Sequence, residues 1–310
     1  MHSLDLVKLF LEQSPQPKAI IMAGGGGAGK SYVLGKLDIS GIQVFNPDTY
    51  VEKQDIPLAA ASSMVDKEVQ QAVKEKENFI WDTTAGNPSK VQSIVDAGYD
   101  VAMVMVYTHP VISLLSNFDR KRSLPVQSVF STWKASYSLV ETYREMLGEN
   151  FYFVPNLREE KFKKEIESFN RAARQGSRGI QKFIDDLINS NPETYRSSFS
   201  KPFELEDKEA LEAYEEEVKD LDFDREDEGM VKNLKKHFNK FWEKRKLPPT
   251  GSMEKKVAAI ERDRKRSEEQ SKEVATAISN MLSDRTFQDI VSSGDSIEDV
   301  KSEIKNFLKY

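Results

Sequence analysis

The 310-residue sequence predicts an α/β fold, with a mostly parallel five-stranded sheet followed by a mainly α-helical C-terminal region. Over residues 1–157, five short apolar runs alternate with stretches of helical spacing, which is typical of a parallel sheet with helical crossovers. A glycine-rich turn separates the first apolar run from the first helical stretch. Beyond residue 157 the alternation ends and only helical patterns remain. We therefore expect two domains, residues 1–157 and residues 158–310.

Each element in the first domain is predicted from its own local pattern. Residues 3–13 have apolar side chains at helical spacing, and Pro15 ends that stretch. Residues 101–107 form the most apolar run, as expected for a strand buried on both faces. The predicted strands are residues 19–23, 42–45, 79–81, 101–107 and 151–154. The predicted helices cover residues 31–37, 60–76, 88–97, a stretch from Pro110, and residues 126–147.

The second domain is predicted to be a charged helical region. Residues 158–310 carry about twice as many charged side chains as residues 1–157. Amphipathic helical patterns occupy residues 180–188, 231–242 and 297–308. An acidic stretch covers residues 204–228, and residues 255–272 are densely charged with both signs. We expect this domain to be partly flexible unless a protein partner or self-association covers its apolar stripes.

Composition excludes several classes of function. The net charge of −6 does not indicate a broadly basic surface for nucleic acid, although a local basic groove is compatible with it. The absence of cysteine excludes disulfides and cysteine-based metal sites, and the three histidines are too scattered to form a metal cluster. No apolar stretch approaches the length of a membrane span, and no signal peptide is recognisable. We expect a cytoplasmic protein without membrane contact.

The glycine-rich turn, GGGGAGKS at residues 24–31, fits the phosphate-binding pattern G-x-x-x-x-G-K-[ST]. The motif lies between a strand-type run and a helix start, so the expected fold is that of a P-loop NTPase. The glycines allow backbone N–H groups to surround an anion at a helix N-terminus. Lys30 is expected to reach the β- and γ-phosphates of ATP, and Ser31 to hold Mg²⁺. The expected nucleotide-binding residues are Gly24, Gly25, Gly26, Gly27, Ala28, Gly29, Lys30, Ser31 and Tyr32.

Other polar residues follow the predicted strands. Because ligands bind beyond the carboxyl ends of parallel strands, we expect these residues to share one edge of the sheet with the glycine-rich turn. They are Lys30, Asp48, Asp82, His109 and Asn156.

Two carboxylates at this edge each have a catalytic and a structural interpretation. Transfer to a hydroxyl requires a carboxylate that takes its proton, and Asp48 is well placed for that role. Asp48 is also a suitable helix N-cap, because Asn-Pro-Asp-Thr is good turn chemistry. Asp82 is a candidate to orient Mg²⁺ or its waters, or to cap the helix that Pro88 begins.

A cluster of cations follows the helix after the fourth strand, at DRKRSLP, residues 119–125. Transfer of a phosphoryl group requires positive charge on the transferring group, which a lid formed by this segment would supply. The alternative is a solvated basic helix end, which the helix dipole favours.

Over about residues 18–156 the sequence resembles the P-loop kinases that include zeta toxins and phage-type polynucleotide kinases. The matching segments are GGGGAGKS, FNPDTY, IWDTTAGNP, GYDVAMVMVYTHP and DRKRSLP. The resemblance implies that Asp48 is the general base and that Asp82 is the acidic residue after the third strand. It places Thr84 in the acceptor pocket and makes Arg120 and Arg122 the lid arginines.

The resemblance also bears on the acceptor. Zeta toxins that phosphorylate an amino-sugar nucleotide usually carry an arginine soon after the third-strand acid, where this chain has Gly86 and Asn87. DTTAGNP is closer to the corresponding segment of phage-type polynucleotide kinases. The resemblance therefore implies an ATP-dependent kinase whose substrate is a small-molecule or nucleic-acid hydroxyl, of nucleotide type.

Two alternatives remain open. The first is a nucleotide-binding or slowly hydrolysing protein whose helical half, residues 158–310, docks on a larger assembly. The second is a zeta-type toxin kinase that acts on a sugar nucleotide.

Overall fold

Five parallel strands form one sheet in the order β2-β3-β1-β4-β5. The computed structural model describes residues 16–54, 58–118, 124, 126–156, 159–190 and 269–309. The strands are β1 Lys18–Ala23, β2 Gln43–Phe45, β3 Phe79–Asp82, β4 Asp100–Tyr107 and β5 Phe151–Pro155.

Twelve helices occur in the described residues. Those that follow β1, β2 and β3 are α1 Lys30–Leu37, α2 Pro47–Gln54, α3 Leu58–Glu75 and α4 Pro88–Asp96. Those between β4 and β5 are α5 Pro110–Phe118, α6 Val126–Tyr137 and α7 Val140–Leu147, with a 3₁₀ turn at Gly148–Asn150. The remaining helices are α8 Glu159–Ala173, α9 Ser177–Ser190, α10 at residues 269–283, α11 Arg285–Ser292 and α12 Ile297–Lys309.

The sheet places β1 at its centre, and β1 therefore carries the glycine-rich turn to the middle of one edge. Ile20 of β1 is in register with Ile80 of β3 and with Ala102 of β4. All three are fully or almost fully buried. The parallel sheet, the helices among the described C-terminal residues and the glycine-rich turn between β1 and α1 confirm the predicted P-loop fold class.

One face of the sheet is covered by α1 together with α12. Val33 and Leu37 of α1 and Val300 and Ile304 of α12 are all buried in a single apolar cluster. The sheet contributes to the same cluster through Ile20, Met22, Ile80, Ala102, Val104, Val106 and Val154. Lys305 of α12 also binds Asp38, at the end of α1, with 3.0 Å between Nζ and Oδ2.

Several predicted elements are found with changed bounds. The predicted helix at 126–147 is two helices, because the chain turns between Tyr137 and Val140 before α7 begins. The amphipathic patterns at 180–188 and 297–308 lie within α9 and α12. Three predicted elements lie wholly outside the described residues: the helices at 3–13 and 231–242 and the charged stretch at 204–228. The charged stretch at 255–272 is described only at residues 269–272.

Backbone contacts divide the chain into two units. The first comprises Met1–Phe183 and Val274–Tyr310, and the second comprises Ile184–Glu273. In the first unit, Ser279 of α10 donates a hydrogen bond to the carbonyl of Ala173 in α8, at 2.5 Å. Asp295 accepts one from the N–H of Phe153 in β5, at 2.7 Å. The second unit is described only at residues 184–190 and 269–273, which are helical. The division at residue 157 stays a prediction.

None of the helices within the described ranges is both long enough and apolar enough to cross a membrane.

Candidate active site

The glycine-rich turn closes tightly between β1 and α1. Three of its glycines have a left-handed backbone, with φ of 140° at Gly24, 80° at Gly27 and 88° at Gly29. A β-carbon on Gly24 would lie 2.5 Å from the carbonyl oxygen of Val106, and one on Gly27 would lie 2.7 Å from that of Ser113. Both positions therefore require glycine, for conformation and for space.

The start of α1 presents backbone donors. The first bond of this helix runs from the N–H of Val33 to the carbonyl of Gly29, at 3.1 Å. The N–H groups of Lys30, Ser31 and Tyr32 precede that bond, and such groups have no partner within their own helix. Together with the helix dipole, they make this end of α1 suitable for a phosphate group.

Side chains from helix α6 and from the residue after β5 form hydrogen bonds with the glycine-rich turn. The Tyr137 hydroxyl donates to the carbonyl of Val106 at 2.7 Å and accepts from the N–H of Gly25 at 3.4 Å. The Asn156 carboxamide donates to the carbonyl of Ala28 at 2.8 Å. Burial raises the pKa of Tyr137, so this hydroxyl keeps its proton and both bonds. The hydrogen bonds to Gly25 and Ala28 thus hold the glycine-rich turn in its observed conformation.

Lys30 faces Asp82 across the edge of the sheet. Its Nζ donates to the carbonyl of Gly24 at 3.0 Å and lies 3.5 Å from Oδ1 of Asp82. The other carboxylate oxygen of Asp82 accepts a hydrogen bond from the Asn46 carboxamide at 3.1 Å. Both members of the ion pair are largely buried. A lysine and a carboxylate are therefore held together next to the glycine-rich turn.

Capping of α2 is performed by Asn46 and not by Asp48. The Asn46 side-chain oxygen accepts from the N–H of Asp48 at 2.8 Å, and its backbone carbonyl accepts from the N–H of Thr49 at 3.2 Å. No hydrogen bond or ion pair to a described residue engages the Asp48 carboxylate. The exposed carboxylate of Asp48 is thus available to a ligand.

Asp82 does not cap the helix that Pro88 begins either. Asn87 is the N-cap of α4, and its side chain accepts a hydrogen bond from the N–H of Ser89 at 3.0 Å. The interpretation of Asp82 as the cap of α4 is therefore wrong. Its carboxylate contacts Lys30 and Asn46 instead.

Thr84 lies in a loop that α6 and α7 support. The Ser136 hydroxyl donates to the carbonyl of Thr84 at 2.7 Å, and the Tyr143 hydroxyl donates to the carbonyl of Ala85 at 2.6 Å. Ala85 has φ of 50°, a left-handed conformation that is uncommon for alanine and that these bonds help to hold. The loop after β3 is therefore fixed relative to α6, as is the glycine-rich turn.

A cavity of about 350 Å³, which we call the P-loop cavity, brings these groups together. It is lined by the turn from Gly26 to Ser31, by Asp48 and Asp82, and by Thr84. Its further lining residues are Asn46, Pro47, Ser62, Val65, Asp66, Trp81, Thr83, Lys90, Leu124 and Thr132. This volume is at the lower end of the range for ligand pockets.

Most of the predicted site residues meet in this cavity. Gly24, Gly25 and Tyr32 belong to the turn or to α1 but do not line the cavity, and Arg120 and Arg122 lie outside the described residues. His109 and Asn156 follow their strands as predicted, but each bonds to other protein groups and neither lines the cavity.

The cavity residues that were not singled out from the sequence include the polar or charged side chains of Asn46, Asp66 and Lys90. Asn46 lies in the quoted segment FNPDTY, where its position before the proline was the available signal. Asp66 and Lys90 lie on α3 and α4, where an isolated charge looks like any solvated helix residue.

The histidine after β4 makes folding stability depend on pH. His109 is almost fully buried beside Asn170, and burial lowers its pKa to about 4. The unfolded chain therefore binds a proton below about pH 6.5, where the folded protein does not. We expect the free energy of unfolding to fall by up to about 3 kcal/mol between about pH 6.5 and about pH 4.

Urea unfolding at about pH 7.5 and about pH 5 measures this loss, with His109→Gln as the comparison. The variant keeps a hydrogen-bonding side chain that does not titrate. An equal loss of stability in both proteins would show that His109 is not its source.

Comparison with known proteins bears on the class of protein. Residues 3–128 match the family model for zeta toxins, which confirms the resemblance to that group. The match supports a nucleotide-dependent phosphotransferase, and therefore an enzyme. No curated protein sequence matches the chain.

The solved structures to which the chain is similar include the AvrRxo1-ORF1:-ORF2 complex with ATP. It is 15% identical over 49% of this chain and 58% of that chain, with a TM-score of 0.36. The PezAT chromosomal toxin–antitoxin system of Streptococcus pneumoniae is 17% identical over 49% of this chain and 76% of that chain, with a TM-score of 0.36. The sulfotransferase domain of the Synechococcus PCC 7002 olefin synthase is 12% identical over 56% of this chain and 72% of that chain, with a TM-score of 0.30.

Proposed function

We propose that this protein is a kinase that moves the γ-phosphate of ATP to a hydroxyl of a nucleotide or nucleic-acid type acceptor. The observation that carries the proposal is the P-loop cavity, which joins a phosphate-binding turn to the carboxylate of Asp48. A nucleotide switch or motor would need the turn but not an available carboxylate beside it. A kinase needs both.

The residues present fit ATP and Mg²⁺. The backbone N–H groups of the glycine-rich turn and of the start of α1, from Gly24 to Tyr32, would hold the triphosphate, and Lys30 would pair with its β- and γ-phosphates. The Ser31 hydroxyl and the Asp82 carboxylate would hold Mg²⁺, which commonly takes only one or two carboxylates from a protein. Within the described residues, no group of three or more acidic, histidine or cysteine side chains is arranged so that it could hold a metal ion by itself. When bound, the metal supplies positive charge to the phosphate oxygens.

Asp48 would accept the proton of the acceptor hydroxyl. Its carboxylate is exposed to the cavity and free of bonds to described residues, because Asn46 has taken over the capping of α2. Thr84, across the same cavity, would contact the acceptor. Arg120 and Arg122 would stabilise the developing charge on the transferred group.

Label transfer tests this proposal. The protein is incubated with γ-labelled ATP, Mg²⁺ and a panel of acceptors: 5′-hydroxyl oligonucleotides, hydroxymethylated DNA, nucleosides and sugar nucleotides. We expect label on at least one nucleotide or nucleic-acid acceptor. Release of free phosphate alone, with no labelled acceptor, would contradict the proposal and favour a nucleotide-binding assembly protein.

Asn46→Ala is expected to slow transfer by about tenfold, because it removes the bonds that orient Asp82 and the start of α2. Steady-state kinetics measure this loss, while ATP affinity should change by less than about twofold.

Asn46→Asp separates positioning from capping. It keeps a capping oxygen for α2 but places a second carboxylate beside Asp82, so transfer should slow while thermal stability is retained. Normal transfer in Asn46→Asp would show that the bond to Asp82 is unimportant.

A second candidate acceptor is the sugar nucleotide that the resemblance to zeta toxins implies, and the match to the zeta-toxin family model supports a toxin. Growth arrest on expression, relieved by Lys30→Ala, together with label transfer to sugar nucleotides alone, would support it. Normal growth and label on oligonucleotides would contradict it.

We also propose that residues 158–310 provide a surface for a protein partner or for self-association. The density of charge and the amphipathic patterns in this region support that role. Light scattering of the full chain across a range of concentrations tests for self-association.

A further inference from the structure

A second cavity, of about 330 Å³, lies between α3, α4 and the end of β3. We call it the α3–α4 cavity. Its apolar lining consists of Val69 and Val73 from α3, Trp81 from β3 and Ile94 from α4. Gln70 and Ser93 add two neutral polar side chains. An apolar space with a few polar groups is the usual composition of a site for a small organic ligand.

The α3–α4 cavity adjoins the P-loop cavity. Asp66, Trp81 and Lys90 line both cavities, so these three side chains stand at the junction between them. Nζ of Lys90 lies 2.6 Å from Oδ2 of Asp66, and 48% of the Lys90 side chain is exposed. A molecule that occupies both cavities would pass along this ion pair.

The charges at the α3–α4 cavity are predominantly positive. Lys90 and Lys74 line it, against the single carboxylate of Asp66. No ion pair joins Lys74 to any residue within the described ranges. An exposed ion pair such as that of Lys90 and Asp66 contributes little stability, so Lys90 can turn to a ligand anion at small cost. Charge complementarity therefore favours an anionic ligand.

We propose that the α3–α4 cavity binds the base of an acceptor nucleotide and that Lys90 binds the phosphate of that nucleotide. The apolar side chains around Trp81 accept the flat ring, and Gln70 and Ser93 offer hydrogen bonds to its polar edge. The acceptor hydroxyl then extends into the P-loop cavity toward Asp48. This inference rests on the proposed function and assigns the binding site of its acceptor.

Calorimetry on the full chain tests the inference without requiring transfer. A saturating non-hydrolysable ATP analogue with Mg²⁺ occupies the P-loop cavity, and the probes are uridine, uridine 3′-monophosphate, uridine 5′-monophosphate and a 5′-hydroxyl oligouridylate. Lys90→Ala removes the proposed phosphate contact, and Val73→Phe fills the cavity. Lys67→Ala, an exposed change on α3 outside both cavities, is the matched control.

We expect Lys90→Ala to weaken binding of phosphate-bearing probes about tenfold and binding of uridine by less than about twofold. Val73→Phe should weaken all probes about tenfold, while Lys67→Ala should change none. If the two substitutions weaken binding of the mononucleotides alone, the acceptor is a free nucleotide. If they also weaken binding of the oligouridylate, the acceptor is the end of a nucleic acid. Both results support the site.

Three results would overturn the inference: no probe binds, the ATP analogue displaces the probes, or Lys90→Ala and Val73→Phe bind all probes like wild type. Because Lys90→Ala changes an exposed side chain, a failure to fold cannot explain its result. Label transfer in the same variants separates the two proposals. An unchanged KM for a labelled acceptor would contradict only the proposed site in the α3–α4 cavity. Probe binding as expected, without any label transfer, would contradict only the proposed kinase activity.

Discussion

Asp48→Asn is expected to lower the rate of phosphoryl transfer by about 10²- to 10⁴-fold, the usual contribution of a general base. The amide retains the size of the carboxylate but cannot take the proton of the acceptor hydroxyl. The cap of α2 is preserved, because Asn46 supplies it. ATP affinity should be retained, because the phosphate-binding groups belong to the turn and to α1. Single-turnover label transfer and calorimetric titration with ATP measure the two effects separately.

Asp96→Asn is the matched control for this substitution. It makes the same chemical change at an exposed position on α4, away from the P-loop cavity, and should leave transfer unchanged. Transfer by Asp48→Asn within about threefold of wild type would show that Asp48 is not the base, even if the protein is a kinase.

Removal of α12 is expected to unfold the sheet domain. Val300 and Ile304 are almost completely buried against α1 and the sheet, with Phe307 and Leu308 packed beside them. Ile304→Ala alone should cost about 2–5 kcal/mol, by analogy with other large-to-small core substitutions. Loss of the whole helix would remove several such contacts from a fold whose total stability is on the order of 5–15 kcal/mol. Urea unfolding of Ile304→Ala and of a chain that ends at residue 293 measures these losses.

Asn306→Ala, on the exposed side of α12, serves as the control and should change stability by less than about 0.5 kcal/mol. A shortened chain that unfolds cooperatively and binds ATP as the full chain does would contradict this prediction. It would also show that the sheet domain ends before the C-terminal helices.

The elements with the strongest local patterns were predicted correctly. The run at residues 101–107 became the buried strand β4, because a strand covered on both faces needs apolar side chains throughout. GGGGAGKS was predictable for a related reason, since left-handed glycines and a helix start are local properties of the backbone. The helix at 126–147 was predicted as one element, because no proline or glycine marks the turn before α7.

The roles of the polar residues needed tertiary structure. Asp48 and Asp82 each had a capping interpretation that the sequence left open, because an aspartate before a helix looks the same in both roles. The structure places Asn46 and Asn87 at those two caps. Lys90 and Asp66 are 24 residues apart and become neighbours only when α3 and α4 pack beside β3.

The parallel sheet and the glycine-rich turn follow from the sequence alone, and so does the prediction of Asp48 as the base, because periodicity, glycine conformation and motif spacing act over a few neighbouring residues. The tertiary structure decided which carboxylates are available, how the P-loop and α3–α4 cavities adjoin, and that α12 returns to cover α1. These features depend on contacts between residues far apart in the chain, such as Lys305 with Asp38. Such contacts have no local pattern, because their partners are chosen by packing of the whole domain.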